Sequence, residues 1–339
     1  MILYLGNILS KRGGSVGFIE TITPRLSSRY KIKAVSSVKS RPLRLLHMLI
    51  TVIRYQRSCE VVLVDTFSTQ AFWFAYAVGK LCRFLKVPFI PIVRGGDFVK
   101  RLEASKAKCD FLFTHSYLNI VPSRFLEFHF NQHSYKVKYV PNFIELEKYP
   151  FRLRDQVQAK ILWVRAFHRI YNPVLAVEVL NQLNIPKAAL CMVGGDTDGT
   201  REHVEKRIAE LELTDRVALP GRLLKDKWIK LADQYDIFLN TTTIDNMPVS
   251  VIEAMALGLP VVSTDVGGLP YLIENGITGV LVPSNNPDEM TKGVQELLTN
   301  PEYARQLSLN ARQMVEQFDW DKVKLKWFEV LDGIVKIRN

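Results

Sequence analysis

Asp245 and Glu253 frame the segment of this chain best suited to chemistry, Asn240-Thr-Thr-Thr-Ile-Asp245-Asn246-Met247-Pro248-Val249-Ser250-Val-Ile-Glu253-Ala-Met-Ala-Leu-Gly258-Leu-Pro260. Asp245 falls on a loop just before a helical pattern. Asn246 reads as the N-cap and Pro248 as a first-turn residue. The bare amides of Met247, Val249 and Ser250 would then form an anion site at the positive helix end. Glu253, about one turn in, could accept hydrogen bonds from a pair of adjacent hydroxyls such as those of a ribose. Acidic residues also stand near helix starts simply to cap them and complement the dipole, so the pair taken alone has two readings. Arg165 follows the apolar run Ile161–Val164, and Arg94 and Asp97 follow Phe89–Val93, at strand ends where open α/β sheets bind ligands. A surface Arg–Asp pair beside a turn is the equal alternative for Arg94 and Asp97. Gly13-Gly14, after the first strand, reads as a turn or as a phosphate cradle.

These residues need a frame, and short β-rich runs alternate with helical patterns along most of the chain. Strands are predicted at Ile2–Leu5, Ile32–Val35, Val61–Val64, Phe89–Val93, Phe111–Thr114 and Val137–Val140, then at Ile161–Val164, Ala189–Val193, Val217–Leu219, Ile237–Asn240, Pro260–Ser263 and Gly279–Val282. Runs that are apolar without alternation suit parallel strands covered on both faces. Intervening helices make right-handed βαβ units and a doubly wound α/β architecture. The order restarts at Ile161 after a polar stretch, which predicts two similar domains, 1–150 and 151–318. The tail 319–339 is an amphipathic helix whose Trp320, Trp327, Phe328, Leu331 and Val335 read as core residues.

The run from Asp245 to Pro260, continued by Val261-Val-Ser-Thr-Asp265-Val-Gly267-Gly268-Leu-Pro270, resembles the retaining family-4 glycosyltransferases of GT-B fold. Their hallmark is E-x7-E, then A-M-A-x-G-x-P-V-V and a G-G loop; Asp245 stands where the family usually has its first Glu. Asn275-Gly276-x-x-Gly279-x-Leu281-Val282 continues the likeness. Val193-Gly194-Gly195-Asp196 and Pro220-Gly221-Arg222 sit where the family has its glycine loop and base-contacting turn. Val121-Pro122-Ser123 and Val140-Pro141-Asn142-Phe143 resemble the approach to its interdomain hinge.

The resemblance implies two Rossmann-like domains facing a cleft, with the C-terminal helix returning to the N-terminal domain. The first domain would bind a glycan or lipid-linked acceptor and the second a nucleotide-sugar donor, UDP-sugars before GDP-sugars. Arg165 would meet the donor diphosphate, Asp245 the sugar hydroxyls and Glu253 the ribose. Transfer would proceed with retention, without a metal or other cofactor. The sequence departs from the family in three places. Tyr171 or Asn172 stands where a second cation, a Lys, is usual, with Arg169 or His168 nearby to supply it. Arg94-Gly-Gly-Asp97 stands where many relatives carry a His. Tyr271 replaces a frequent Glu.

Composition bounds the remaining readings. With 339 residues, 47% hydrophobic and 23% charged, the chain can bury two cores. Its net charge of +11, read as a general excess of cations, favours anionic partners. Residues 41–57 place Arg44, His47, Thr51, Arg54 and Arg57 roughly along one helix face and Leu45, Leu46, Leu49, Ile50, Val52 and Ile53 elsewhere. Such a helix either lies on an anionic membrane or packs its apolar side on the sheet while its arginines are solvated. Cys59, Cys82, Cys109 and Cys191 are scattered singles and read as reduced core residues. No apolar run reaches the ~20 residues of a membrane span, and the start does not resemble a signal peptide. A cytoplasmic protein, peripheral on the inner membrane face in the first reading of residues 41–57, is the expectation. A dinucleotide-dependent oxidoreductase would need G-x-G-x-x-G, which Gly13-Gly-Ser-Val-Gly17 does not match. Nucleic-acid binding is suggested by charge alone, without aromatic, zinc or clustered Lys/Arg patterns.

Overall fold

Strand and helix alternate in register with the β-branched and aliphatic runs of the sequence. The computed structural model describes residues 1–8, 10 and 16–338. Two compact units result, Met1–Pro141 with Lys324–Asn339, and Asn142–Val323.

In the first unit the strands are β1 (Ile2–Leu5), β2 (Ile32–Val35), β3 (Val61–Phe67), β4 (Phe89–Arg94), β5 (Asn119–Val121) and β6 (Val137–Tyr139). They form one parallel sheet in the order β2-β1-β3-β4-β5-β6, with Ile2 opposite both Ile32 and Val61. The helices are α1 (Phe18–Leu26), α2 (Arg41–Tyr55), α3 (Phe72–Phe84), α4 (Phe98–Ala104), α5 (Lys106–Thr114) and α6 (Arg124–Gln132). The second unit holds β7 (Lys160–Val164), β8 (Ala189–Val193), β9 (Val217–Gly221), β10 (Ile237–Asn240), β11 (Val261–Thr264) and β12 (Val280–Val282). Its order is β12-β11-β10-β7-β8-β9, again parallel, with Ile161 opposite Leu190 and Ile237. Around it lie α7 (Pro173–Leu183), α8 (Thr200–Glu210), α9 (Lys225–Ala232), α10 (Val249–Ala256), α11 (Pro287–Thr299) and α12 (Pro301–Val315), followed by α13 (Trp320–Arg338). These are two Rossmann-like units, each with a strand-order reversal: between β1 and β3 in the first, between β7 and β10 in the second. Ligands of open α/β sheets bind at the carboxyl ends of the strands flanking such a reversal.

Several expectations are corrected. Phe111–Thr114 is the end of α5, not a strand, and β5 lies at Asn119–Val121. Cys109, Leu112 and Phe113 are its buried residues, a helical spacing that a four-residue apolar run conceals. Residues 142–150 lie with the second unit because their backbone is tied there. Ile144 N–H donates to Phe318 O at 2.9 Å, and Trp320 N–H to Ile144 O at 2.9 Å. From Lys324 onward α13 belongs to the first unit, where Trp327 is buried against Phe18 and Asp332 accepts from Arg29 and from Tyr30.

The polar residues of 41–57 do not share a face. Arg44 and Thr51 are buried beside Met48 and Val52, while His47, Arg54 and Arg57 are exposed. The inward Arg44 donates to Val38 O, Asn7 Oδ1 and Lys39 O, in the loops after β1 and β2, at 2.6–2.7 Å, so its burial costs little. All four cysteines are buried and unbridged. No described helix is long and apolar enough to cross a membrane.

Candidate functional site

The order reversal of the second sheet is where the predicted residues meet. β7 ends at Val164, and Arg165 N–H donates to Val193 O at 3.0 Å, which aims the Arg165 side chain off the strand end. The loop after β10 is stitched to the loop after β7. Thr241 Oγ1 accepts from Trp163 Nε1 at 2.9 Å and donates to Tyr171 O at 2.7 Å, and Thr243 N–H donates to Ile170 O at 2.7 Å. These bonds bring the Asp245 carboxylate onto the Arg165 guanidinium as an ion pair. The guanidinium also lies 4.3 Å from the centre of the Tyr171 ring. Tyr171 thus backs Arg165 with a π face at the position where the resemblance implies a second cation. Burial pulls the Arg165 pKa down, opposed by the charges of Tyr171 and Glu253. Arg165 Nε and Ser250 Oγ are both buried and find no hydrogen-bond partner among the described residues.

Glycine holds this arrangement. Gly268 N–H donates to Asp245 O at 2.9 Å. A Cβ on Gly267 would strike the Asp245 carbonyl and one on Gly268 the Asn246 carbonyl, while Gly267 has φ +56°. Gly194 is held alike: its N–H donates to Gly221 O at 3.0 Å, and a Cβ there would strike the Arg165 carbonyl. The G-G loop and the glycine after β8 therefore brace the backbones of Asp245 and Arg165, a role that spacing along the chain does not reveal. Gly195 and the exposed Arg222 come together at the neighbouring loop ends.

The helix start differs from expectation. α10 begins at Val249 with Pro248 as its N-cap, φ −69° and ψ 113°. Asn246 does not cap it; Asn246 N–H turns back to Asp245 Oδ1 at 2.7 Å. Met247 precedes the helix, its carbonyl accepting from Asn142 Nδ2 at 3.3 Å. Proline, lacking an N–H and averse to a helical residue before it, moves the start beyond Asn246 and leaves Val249 and Ser250 at the helix mouth.

Glu253 is buried on α10, and two residues missed in the sequence hold it. Tyr149 Oη donates at 2.7 Å and Lys225 Nζ lies at 2.6 Å, both on Oε1. Burial, then the Glu253 charge, push the Tyr149 pKa well up. Tyr149 sits in a stretch that reads as linker and Lys225 at an exposed helix start, so nothing local marked either. Arg169 is exposed in the turn Arg169–Tyr171, its amide bonded to Asp198 at 3.1 Å, and His168 Nε2 lies 3.5 Å from the same carboxylate. Both line a cavity of about 650 Å³ with Asn172, Thr200 and His203. Among the described residues no His, Cys, Asp and Glu cluster could hold a metal ion.

In the first unit, Gly13 and Gly14 lie outside the described residues. Arg94, at the end of β4, has its guanidinium 3.2 Å from the centre of the Phe18 ring and acts electrostatically on Asp65 and Tyr4. Asp97 precedes α4, with Lys100 at 3.7 Å. Tyr4 Oη donates to Asp65 Oδ1 at 2.8 Å. Burial pushes the Asp65 carboxyl up to about 6, against the opposing pull of Arg94 and the Tyr4 bond. A raised folded-state pKa contributes stability that is complete below the unfolded carboxylate range and is lost as pH rises through about 6. Relative to Asp65→Asn, the wild type should therefore lose about 3 kcal/mol between pH 3 and 7. Urea unfolding of both proteins across that range measures it; a constant difference would refute a proton held by Asp65.

Comparison with known proteins places the second unit. Residues 147–314 match the model of the family described as glycosyl transferases group 1. A D-inositol 3-phosphate glycosyltransferase of Streptomyces bingchenggensis is 31% identical over 145 residues, 41% of this chain and 31% of the relative. The chain thus aligns with about a third of that relative's length. The amylovoran biosynthesis glycosyltransferase AmsK of Erwinia amylovora is 29% identical over 269 residues, 72% of this chain and 64% of AmsK. Among solved structures, sucrose-phosphate synthase of Thermosynechococcus elongatus superposes with a TM-score of 0.78 at 16% identity, over 99% of each chain. Anabaena HepE in complex with UDP gives 0.77 at 16% identity, over 98% of this chain and 99% of HepE. The segment carrying Arg165, Asp245 and Glu253 thus matches the glycosyl transferases group 1 family, in a chain of GT-B fold.

Proposed function

We propose that this chain is a retaining glycosyltransferase that takes a sugar from a nucleoside-diphosphate donor, UDP-sugars before GDP-sugars, held by its second unit. The observation that carries the reading is the pairing of Arg165 with Asp245 at the strand-order reversal, beside two buried polar atoms, Arg165 Nε and Ser250 Oγ, that lack partners. Buried polar groups are almost always satisfied, and a ligand rich in acceptors would satisfy these two. A diphosphate supplies them.

On donor binding Arg165 exchanges Asp245 for the diphosphate, and Asp245 turns to the hydroxyls of the donor sugar. Glu253, poised by Tyr149 and Lys225, takes the ribose hydroxyls. As the bond to the anomeric carbon breaks, negative charge grows on the leaving phosphate, met by Arg165 and the Val249 and Ser250 amides. The leaving phosphate takes the acceptor's proton, and no resident metal is required. The first unit receives a glycan or lipid-linked glycan, a reading supported by the name of the Erwinia relative, an amylovoran biosynthesis glycosyltransferase.

The test is a panel of UDP- and GDP-sugars scored for nucleotide release, with thermal shifts for UDP, NAD(P) and oligonucleotides. A UDP- or GDP-sugar should turn over, its nucleotide alone should raise the Tm, and Glu253→Ala should weaken donor affinity ~10-fold or more. Stabilisation by NAD(P) or by oligonucleotide instead would overturn the reading. Inversion at the transferred carbon, seen by NMR, would overturn retention.

A further inference from the structure

Between Glu20 and Glu60 the chain has nine Lys and Arg and no acidic residue. The asymmetry extends to the whole unit. The first unit carries 26 Lys and Arg against 9 Asp and Glu, a net charge of +17, and the second 19 against 25, a net of −6. The excess of cations is therefore not general; it belongs to one unit.

α2 stands in this acid-free segment with its apolar side outward. Leu43, Leu46, Ile50 and Ile53 are 58, 52, 52 and 49% exposed. Their spacing of three, four and three residues puts them in one stripe along the helix. Single exposed aliphatics are ordinary, but a continuous line of four is a docking surface. Lys39 and Arg41 flank one end of the stripe and Arg54 and Arg57 the other, all exposed. α3 packs beside α2, and Arg41 Nη1 donates to Gln70 Oε1, just before α3, at 2.9 Å. The inward Arg44 and Thr51 show that the burial pattern is specific: two polar residues are buried and bonded, Arg44 to loop carbonyls and Thr51 to His47 O of its own helix, while four aliphatics are left outside.

We infer that α2 lies in the headgroup layer of an anionic lipid bilayer, with Leu43, Leu46, Ile50 and Ile53 inserted and the flanking arginines on lipid phosphates. Charge selects this occupant. A second copy docked through the same face would set +17 against +17, whereas an anionic bilayer is attracted by every cation of the unit and accepts the apolar stripe as well. The inference goes beyond the donor reading and stands without it.

Flotation of the full chain with vesicles of phosphatidylcholine alone, or with one third phosphatidylglycerol, tests it. The wild type should float with the anionic vesicles only, and less as salt is raised. The double variant Leu46→Glu with Ile50→Glu should lose retention more than ~10-fold, as should Arg54→Glu with Arg57→Glu. All four residues are exposed, so both variants should melt as the wild type does. Failure of the wild type to float, or undiminished flotation of the Leu46/Ile50 variant, overturns the inference. So does a wild-type dimer that this variant converts to monomer without loss of flotation, which would assign the stripe to self-association.

Discussion

Replacing Arg165 with alanine is expected to lower kcat for the proposed glycosyl transfer by ~10²–10³-fold, the usual cost of deleting one aimed donor at a developing negative charge. The guanidinium stands at the strand-order reversal, largely buried, paired with Asp245 and backed by the Tyr171 ring. The same substitution leaves a buried carboxylate unpaired, so the free protein should also lose ~3 kcal/mol of stability. Arg165→Ala with Asp245→Asn should regain most of that stability and none of the activity, because the orphaned charge is removed while the diphosphate still lacks its cation. Arg165→Lys keeps the charge without the planar fork and should fall between wild type and alanine. Single-turnover rates at saturating donor, with urea unfolding of each variant, separate the two effects. A kcat within ~3-fold of wild type for folded Arg165→Ala would remove this residue from the reaction.

The second large effect comes from a residue that touches no donor in this reading. Gly268→Ala should cost ~3 kcal/mol in stability and ~10²-fold in kcat. Its new methyl would meet the Asn246 carbonyl, a backbone atom with no flexible end to yield. Relief requires the Asp245-Asn246 loop to move, carrying the Asp245 carboxylate off Arg165. Gly195→Ala is the control: the nearest atom to its added carbon is Arg222 Cβ at 3.7 Å, ordinary contact, and the substitution should be close to neutral. Denaturation midpoints and initial rates measure both variants. If Gly268→Ala matches Gly195→Ala, the G-G loop is not the brace described above.

These two predictions stand differently toward the sequence. Arg165, Asp245 and Glu253 are legible as candidates because a strand end, a loop before a helix and a helix interior each leave a local pattern, and their spacing along the chain resembles a known family. Tyr149 and Lys225 were not legible. Each reaches Glu253 through tertiary packing, from 104 residues upstream in one case. The capping of α10 was misplaced because the preference of Asn for an N-cap is weaker than the constraint Pro248 imposes two residues later. The run at Phe111–Thr114 shows the limit of short apolar windows, since helix and strand bury it equally well.

By itself, the sequence determined two parallel α/β units, the strand ends that carry the polar groups, and the charge held by each stretch of chain. Local preferences and hydrophobic periodicity are enough for that, because each acts over a few neighbouring residues. Tertiary structure alone decided which backbones cross closely enough to demand glycine at 194, 267 and 268, and which side of α2 meets the sheet. It also decided which groups close on Glu253. Each of these depends on contact between segments far apart in the chain, and no local rule reaches across that distance.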